Sequence, residues 1–120
     1  MKRLLRFVIN ASIYFAIVGV LLYGLPRFLT WYLDTPYPMA AITSGSMWPA
    51  LNEGDLVFIQ GVVRDDLKVN DIVVWRNPSG FTIHRIVKLN DDTLVTKGDA
   101  NFTEDVPVKY SDVVGRTYKI

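Results

Sequence analysis

A hydroxyl, an imidazole and a carboxylate suffice to open an amide bond, and this chain carries candidates for all three. The hydroxyls stand in T-S-G-S-M-W-P (43–49), where Ser44 and Ser46 flank Gly45. Ser, Gly and Pro also cluster in ordinary turns, so the stretch reads equally well as a loop without chemistry. A serine hydroxyl is a weak nucleophile until a neighbouring base takes its proton. The single histidine, His84, lies in F-T-I-H-R-I-V-K (81–88). As a strand, that stretch points Thr82, His84 and Ile86 to one face and Ile83, Arg85 and Val87 to the other. A lone strand histidine is more often a surface or half-buried residue than a base. A histidine base needs a carboxylate to orient it, and T-K-G-D-A-N-F-T-E-D (96–105) offers Asp99, Glu104 and Asp105. Taken singly, each of these is also ordinary turn chemistry or a solvated acid.

Composition narrows what could position these groups. The chain has 120 residues, a formal charge of +1 and no cysteine. That length allows one small domain. Interspersed charges at near-neutrality make no positive stripe for a phosphate backbone, which speaks against nucleic-acid binding. Without cysteine there is no disulfide, thiolate nucleophile or Cys-ligated zinc, and nothing in the sequence calls for a cofactor or a metal.

Between Arg6 and Arg27 run twenty residues without a charge. As a helix they would span about 30 Å, the thickness of a bilayer hydrocarbon core. Lys2, Arg3 and Arg6 precede the run, so the positive-inside rule keeps the N-terminus cytoplasmic and sends the remainder outside the cell membrane on a single pass. Arg27 weakens this asymmetry without reversing it. The apolar run exceeds a signal-peptide core and lacks a small-x-small cleavage site at the right distance, which favours an uncleaved anchor. Trp31 and Tyr32 suit the membrane–water boundary. Ser12, Ala16 and Gly19 form a small-residue stripe at which another membrane subunit is a candidate partner.

After T-P-Y-P (35–38), a stiff exit, the pattern changes to short strands: 39–42, 56–59, 72–76, 81–89, 94–97 and 113–118. N-E-G-D, N-P-S-G and N-D-D punctuate them as turns. The expected fold is mainly β: residues 1–34 as cytoplasmic tail and transmembrane anchor, residues 35–120 as a small, mostly antiparallel β domain outside the membrane. The apolar residues Met39 to Ile42, Met47 and Trp48 either fill its thin core or face the bilayer, two readings of equal weight.

The candidate residues fall in ordered boxes: S-G-S-M-W-P (44–49), G-D-L-V (54–57), D-I-V-V-W-R (71–76), I-H-R-I (83–86), T-K-G-D-A-N (96–101) and V-V-G-R (113–116). Six boxes in this order, covering the chain from about residue 40 to its end, resemble type I signal peptidase, specifically the branch of archaea and the endoplasmic reticulum. The resemblance implies a signal-peptidase β domain on a membrane anchor. It implies Ser46 as nucleophile and His84 as general base, where the bacterial branch has a lysine. It also implies two important aspartates, at Asp99 and Asp105, of which Asp105 is the better match for orienting His84 and Asp99 for supporting the site through hydrogen bonds. The oxyanion donors would be the Ser46 backbone N–H and, by the same resemblance, the Ser44 hydroxyl. Losing one such donor typically costs on the order of 3 kcal/mol of transition-state stabilisation. Gly45 would let the backbone approach the substrate closely. The chain departs from the pattern at Ala100, where the branch commonly has a second polar residue. It also shows neither the inserted domain of bacterial members nor a second span.

The resulting expectation is a membrane-bound serine endopeptidase that removes signal peptides from exported preproteins, its partners being those preproteins, the bilayer and candidate accessory membrane subunits. Small side chains immediately before the scissile bond and two residues further upstream are what the resemblance implies for specificity. A Ser/Lys protease with Lys97 or Lys88 as base is one rival. The other is a non-catalytic, membrane-anchored β module of an export or processing complex. A histidine base predicts hydrolysis that rises across about pH 6–7, where free imidazole loses its proton.

Overall fold

In the computed structural model, which describes residues 1–119, an N-terminal helix leads into a seven-stranded antiparallel sheet. Ile120, the last residue of the expected 35–120 domain, lies outside the described residues. Helix and strand content are comparable over the whole chain, and the expected β architecture is that of the part beyond the helix.

The helix comprises α1 (Lys2–Gly19), a π-helical turn at Val20–Gly24 and α2 (Leu25–Tyr32). The helix therefore does not stop at Pro26, where the uncharged run ends. Proline lacks an N–H and its ring collides with the carbonyl four residues back. The π turn widens the backbone just ahead of it, with the Leu25 N–H reaching the Val20 carbonyl, and Pro26 sits in the first turn of α2. None of the 31 residues from Lys2 to Tyr32 is buried, and large apolar side chains cover the surface on all sides. A helix apolar all round is a candidate membrane span.

The helix ends through backbone geometry. Asp34 takes a left-handed conformation at φ 51°, and the Thr35 N–H reaches the Thr30 carbonyl at 3.2 Å, the six-residue closure of a Schellman ending. The next contact fastens helix to sheet: the Gly61 N–H donates to the Leu33 carbonyl at 2.7 Å, and a Cβ at Gly61 would run into the Asp34 carbonyl. Leu33 is buried at this junction.

The strands are β1 (Met39–Ala41), β2 (Leu56–Gln60), β3 (Ile72–Asn77), β4 (Gly80–Leu89), β5 (Thr93–Lys97), β6 (Val108–Lys109) and β7 (Val113–Lys119), in spatial order β1-β2-β7-β3-β4-β5-β6. Six correspond to expected strands. The two-residue β6, which pairs Lys109 with Thr93 and Val108 with Leu94, is too short to show alternation in sequence.

Both faces of the sheet centre are covered. Val74 joins Ile42, Met47, Leu51, Val57 and Ile59 on one side, while Val73 and Trp75 join Leu67, Ile86, Leu94 and Val108 on the other. Period-2 alternation along β3 thus feeds two small cores instead of one. The apolar stretch 39–48 divides between its two readings: Ile42 and Met47 are core, whereas Met39 and Trp48 remain exposed.

Candidate active site

β4 lies between β3 and β5, and His84 pairs with Val73 in the register. This register turns the imidazole to the face that carries Val73, Trp75 and Ile86, where His84 is 8% exposed. Ser46 comes from a turn outside the sheet, fastened from two directions. Its neighbour Met47 is fully packed, a burial that contributes roughly 1.5–3 kcal/mol. Its own carbonyl accepts the Ala100 N–H at 2.9 Å. That second contact requires Gly98, because a Cβ there would stand 2.7 Å from the Ser46 carbonyl oxygen. A Cβ on Gly45, by contrast, would meet nothing within 4 Å, so the close approach between the two loops depends on the later glycine.

These constraints bring Ser46 Oγ to 3.1 Å from His84 Nε2 and His84 Nδ1 to 2.5 Å from Asp105 Oδ2. An ionised carboxylate only accepts, so the Nδ1 proton points to Asp105 and the Nε2 lone pair faces the Ser46 hydroxyl. The Ser44 hydroxyl lies 3.1 Å from Ser46 Oγ and 3.5 Å from the Ser46 backbone nitrogen. With the Ser46 proton directed at His84, Ser44 is the donor between the two hydroxyls. The Ser46 backbone N–H in turn donates to the Ser44 oxygen, so the Ser44 hydroxyl stands between that amide and Ser46 Oγ.

Asp99 does not contact the imidazole. It forms a two-pronged pair with Arg85, at 2.9 Å from Nε and 2.8 Å from Nη2, and the third arm of the guanidinium donates to the Asn70 carbonyl. The Arg85 hydrogen bonds hold the Asp99 carboxyl below its ordinary pKa against the opposing effect of burial, with further attraction from the charges of Arg85 and Lys97. Glu104 is exposed. The Lys97 ammonium donates to the Gly98 carbonyl at 3.2 Å, and Lys88 is exposed on β4.

Sequence reasoning gave no role to Arg85 or Thr96, although both lie in the quoted boxes. Thr96 donates its hydroxyl to Asp105 Oδ2 at 2.7 Å, and its carbonyl accepts the Asp105 N–H at 2.8 Å. A threonine three residues before Asp99 on a buried strand carried the only available hint. Among the described residues, no three His, Asp or Glu side chains converge as a metal site.

Beside Ser46 and His84 opens a cleft of about 570 Å³. Its walls are largely apolar, including Met39, Ala40, Ile42 and Ile83, and it runs along edge strand β1. A serine with a base at hydrogen-bond distance, a carboxylate behind the base, a second hydroxyl beside the first and an adjoining apolar cleft can carry out acyl transfer.

No protein-family model matches the chain. Curated proteins do. The signal peptidase complex catalytic subunit SEC11 of Fusarium vanettenii is 38% identical over 60% of this chain and 46% of its own length. SEC11 of Lachancea thermotolerans is 35% identical over 65% of this chain and 56% of its own length. The human catalytic subunit SEC11C is 32% identical, with 66% and 49% covered. The chain thus spans about half the length of the curated relatives it matches.

Proposed function

For a chain that is a sequence relative of signal peptidase complex catalytic subunits, we propose the activity of a membrane-bound serine endopeptidase that removes N-terminal signal peptides from exported preproteins. The observation that carries the reading is the linear arrangement of Ser46, His84 and Asp105, with both imidazole nitrogens engaged.

In this mechanism His84 Nε2 takes the Ser46 proton as Oγ attacks the scissile carbonyl carbon, and Asp105 stabilises the imidazolium that results. The Ser46 N–H and the Ser44 O–H donate to the oxyanion of the tetrahedral intermediate. The imidazolium returns its proton to the departing amine, and water then hydrolyses the ester on Ser46 by the same base. Lys97 is engaged with the Gly98 carbonyl, which supports the histidine over a lysine base.

The apolar helix serves as a single-pass anchor. Residues 1–34 form tail and span, with the basic N-terminus cytoplasmic, and residues 35–120 form the catalytic domain outside. Anchoring confines enzyme and preprotein to one bilayer, which raises their effective concentration. The bilayer, the preproteins and other membrane subunits are its partners.

Incubating the detergent-purified chain with a preprotein and mapping the new N-terminus tests the proposal. Cleavage at the signal-peptide boundary that disappears in Ser46→Ala is the expected result. A folded, unmutated chain that leaves intact a preprotein processed by an authentic signal peptidase would point to a non-catalytic module instead.

A further inference from the structure

Thr96 is fully buried, yet its hydroxyl takes part in no step of the mechanism above. It lies between two partners, Trp75 Nε1 at 3.2 Å and Asp105 Oδ2 at 2.7 Å. We propose that Trp75 and Thr96 are positioning residues, which through this one hydroxyl hold Asp105 as a pure acceptor and thereby set the tautomer and plane of His84. The proposal rests on the reading of Ser46 and His84 as a catalytic pair.

Donor chemistry fixes the direction of every link. An indole N–H only donates, so the Thr96 oxygen accepts from Trp75. A hydroxyl has a single proton, and that proton must then point at Asp105. The same carboxylate oxygen lies 2.5 Å from His84 Nδ1, and an ionised carboxylate can only accept, so Nδ1 is the donor there. With two donors aimed at it, Oδ2 has no room for a proton of its own. The imidazole therefore keeps its proton on Nδ1, which leaves Nε2 open toward Ser46 Oγ. The series begins at an obligate donor and ends at the nucleophile.

The fold makes this possible through strand order. Trp75 is on β3 and Thr96 on β5, the two neighbours of the strand that carries His84. Trp75 pairs with Thr82 and Thr96 with Ile86, so both lie on the imidazole's face of the sheet. The Asp105 backbone is fastened to the same residue, its N–H donating to the Thr96 carbonyl at 2.8 Å. One threonine thereby fixes the main chain and the side chain of the aspartate.

The chain has one histidine, so ¹⁵N-imidazole NMR of the labelled full chain in detergent reads His84 alone. In the unmutated protein, under conditions where imidazole is neutral, the proton is expected on Nδ1 with a strongly downfield signal. Thr96→Val should weaken that signal and lower kcat for preprotein cleavage about 10- to 100-fold, the loss of one hydrogen bond to a charged group, with KM changed by less than about twofold. Thr96→Ser should return most of the rate and the signal. An unaltered spectrum and kcat in Thr96→Val overturns the proposal. So does a Thr96→Ser protein as impaired as Thr96→Val, because restoring the hydroxyl would then restore nothing.

Should Thr96→Val fail to fold, Trp75→Phe takes its place: a weakened downfield signal with a kcat loss of about threefold or more supports the proposal, and unaltered values of both overturn it. The spectrum needs no substrate. If it responds to these substitutions while the chain cleaves no preprotein, the peptidase reading fails alone. If Ser46→Ala and His84→Ala are inactive but Thr96→Val behaves as the unmutated enzyme, the positioning proposal fails alone.

Discussion

Ser46 Oγ and His84 Nε2, thirty-eight residues apart in sequence, meet at 3.1 Å. A nucleophile and its base act as one unit, so their removals should not add. Ser46→Ala and His84→Ala are each expected to abolish turnover by a factor on the order of 10⁴ or more, and the double variant to be no slower than either alone. Single-turnover cleavage of a preprotein measures all three. A His84→Ala enzyme of full activity would remove the assigned base.

The two aspartates should separate sharply. Asp105→Asn keeps the shape but presents an amide to Nδ1, which destroys the tautomer preference; a fall in kcat on the order of 10⁴ is expected. Asp99→Asn leaves the imidazole contacts in place and removes the partner of Arg85, so its effect should be much smaller. Steady-state kinetics at one pH decide the matter, and equal losses would contradict this division.

The Asp99–Arg85 pair has a consequence for acid stability. Asp99 has a lowered folded pKa, so the unfolded chain binds its proton more readily than the folded one. Its contribution is present above the ordinary carboxylate value of about 4 and is lost as the pH falls below it. The pair is partly exposed, and its worth is on the order of 1 kcal/mol. The unmutated protein should therefore melt at a higher temperature than Asp99→Asn at neutral pH, and the two curves should converge on acidification. Differential scanning fluorimetry in detergent from about pH 7 to about pH 3 tests this linkage; a constant gap throughout would refute it.

The two loop glycines should respond differently to alanine. At Gly98 the added Cβ meets the Ser46 carbonyl and must push the nucleophile's loop away, so a loss of activity of about tenfold or more is expected. At Gly45 the Cβ enters open space, and the stability should change by no more than about 0.5 kcal/mol. Paired activity and melting measurements on Gly98→Ala and Gly45→Ala check both statements. A fully active Gly98→Ala enzyme would mean that this loop contact does not hold Ser46.

Much of the architecture was legible along the chain because it arises from local pattern. Twenty uncharged residues between Arg6 and Arg27 can satisfy their backbone in apolar surroundings only as a helix, and alternation with Gly, Asn and Asp turns marked six strands. The π turn ahead of Pro26 and the two-residue β6 were not legible. The first is a backbone accommodation with no residue signature of its own, and the second has its pairing defined by β5.

The sequence by itself determined which chemical groups were available: one imidazole, two serines around a glycine, and acids at 99, 104 and 105. Only tertiary structure decided which of them touch. His84 and Arg85 are adjacent on β4 and, by the alternation of a strand, face opposite ways; Asp105 comes to the face of the imidazole and Asp99 to that of the guanidinium. Five residues of loop separate the two carboxylates and carry no mark of this sorting. The pairing of β4 with β5 and the bond from the Asp105 N–H to the Thr96 carbonyl impose it. Hydrogen bonds between distant segments exist only once the strands are in register, so the assignment of each acid to its partner belongs to the folded chain.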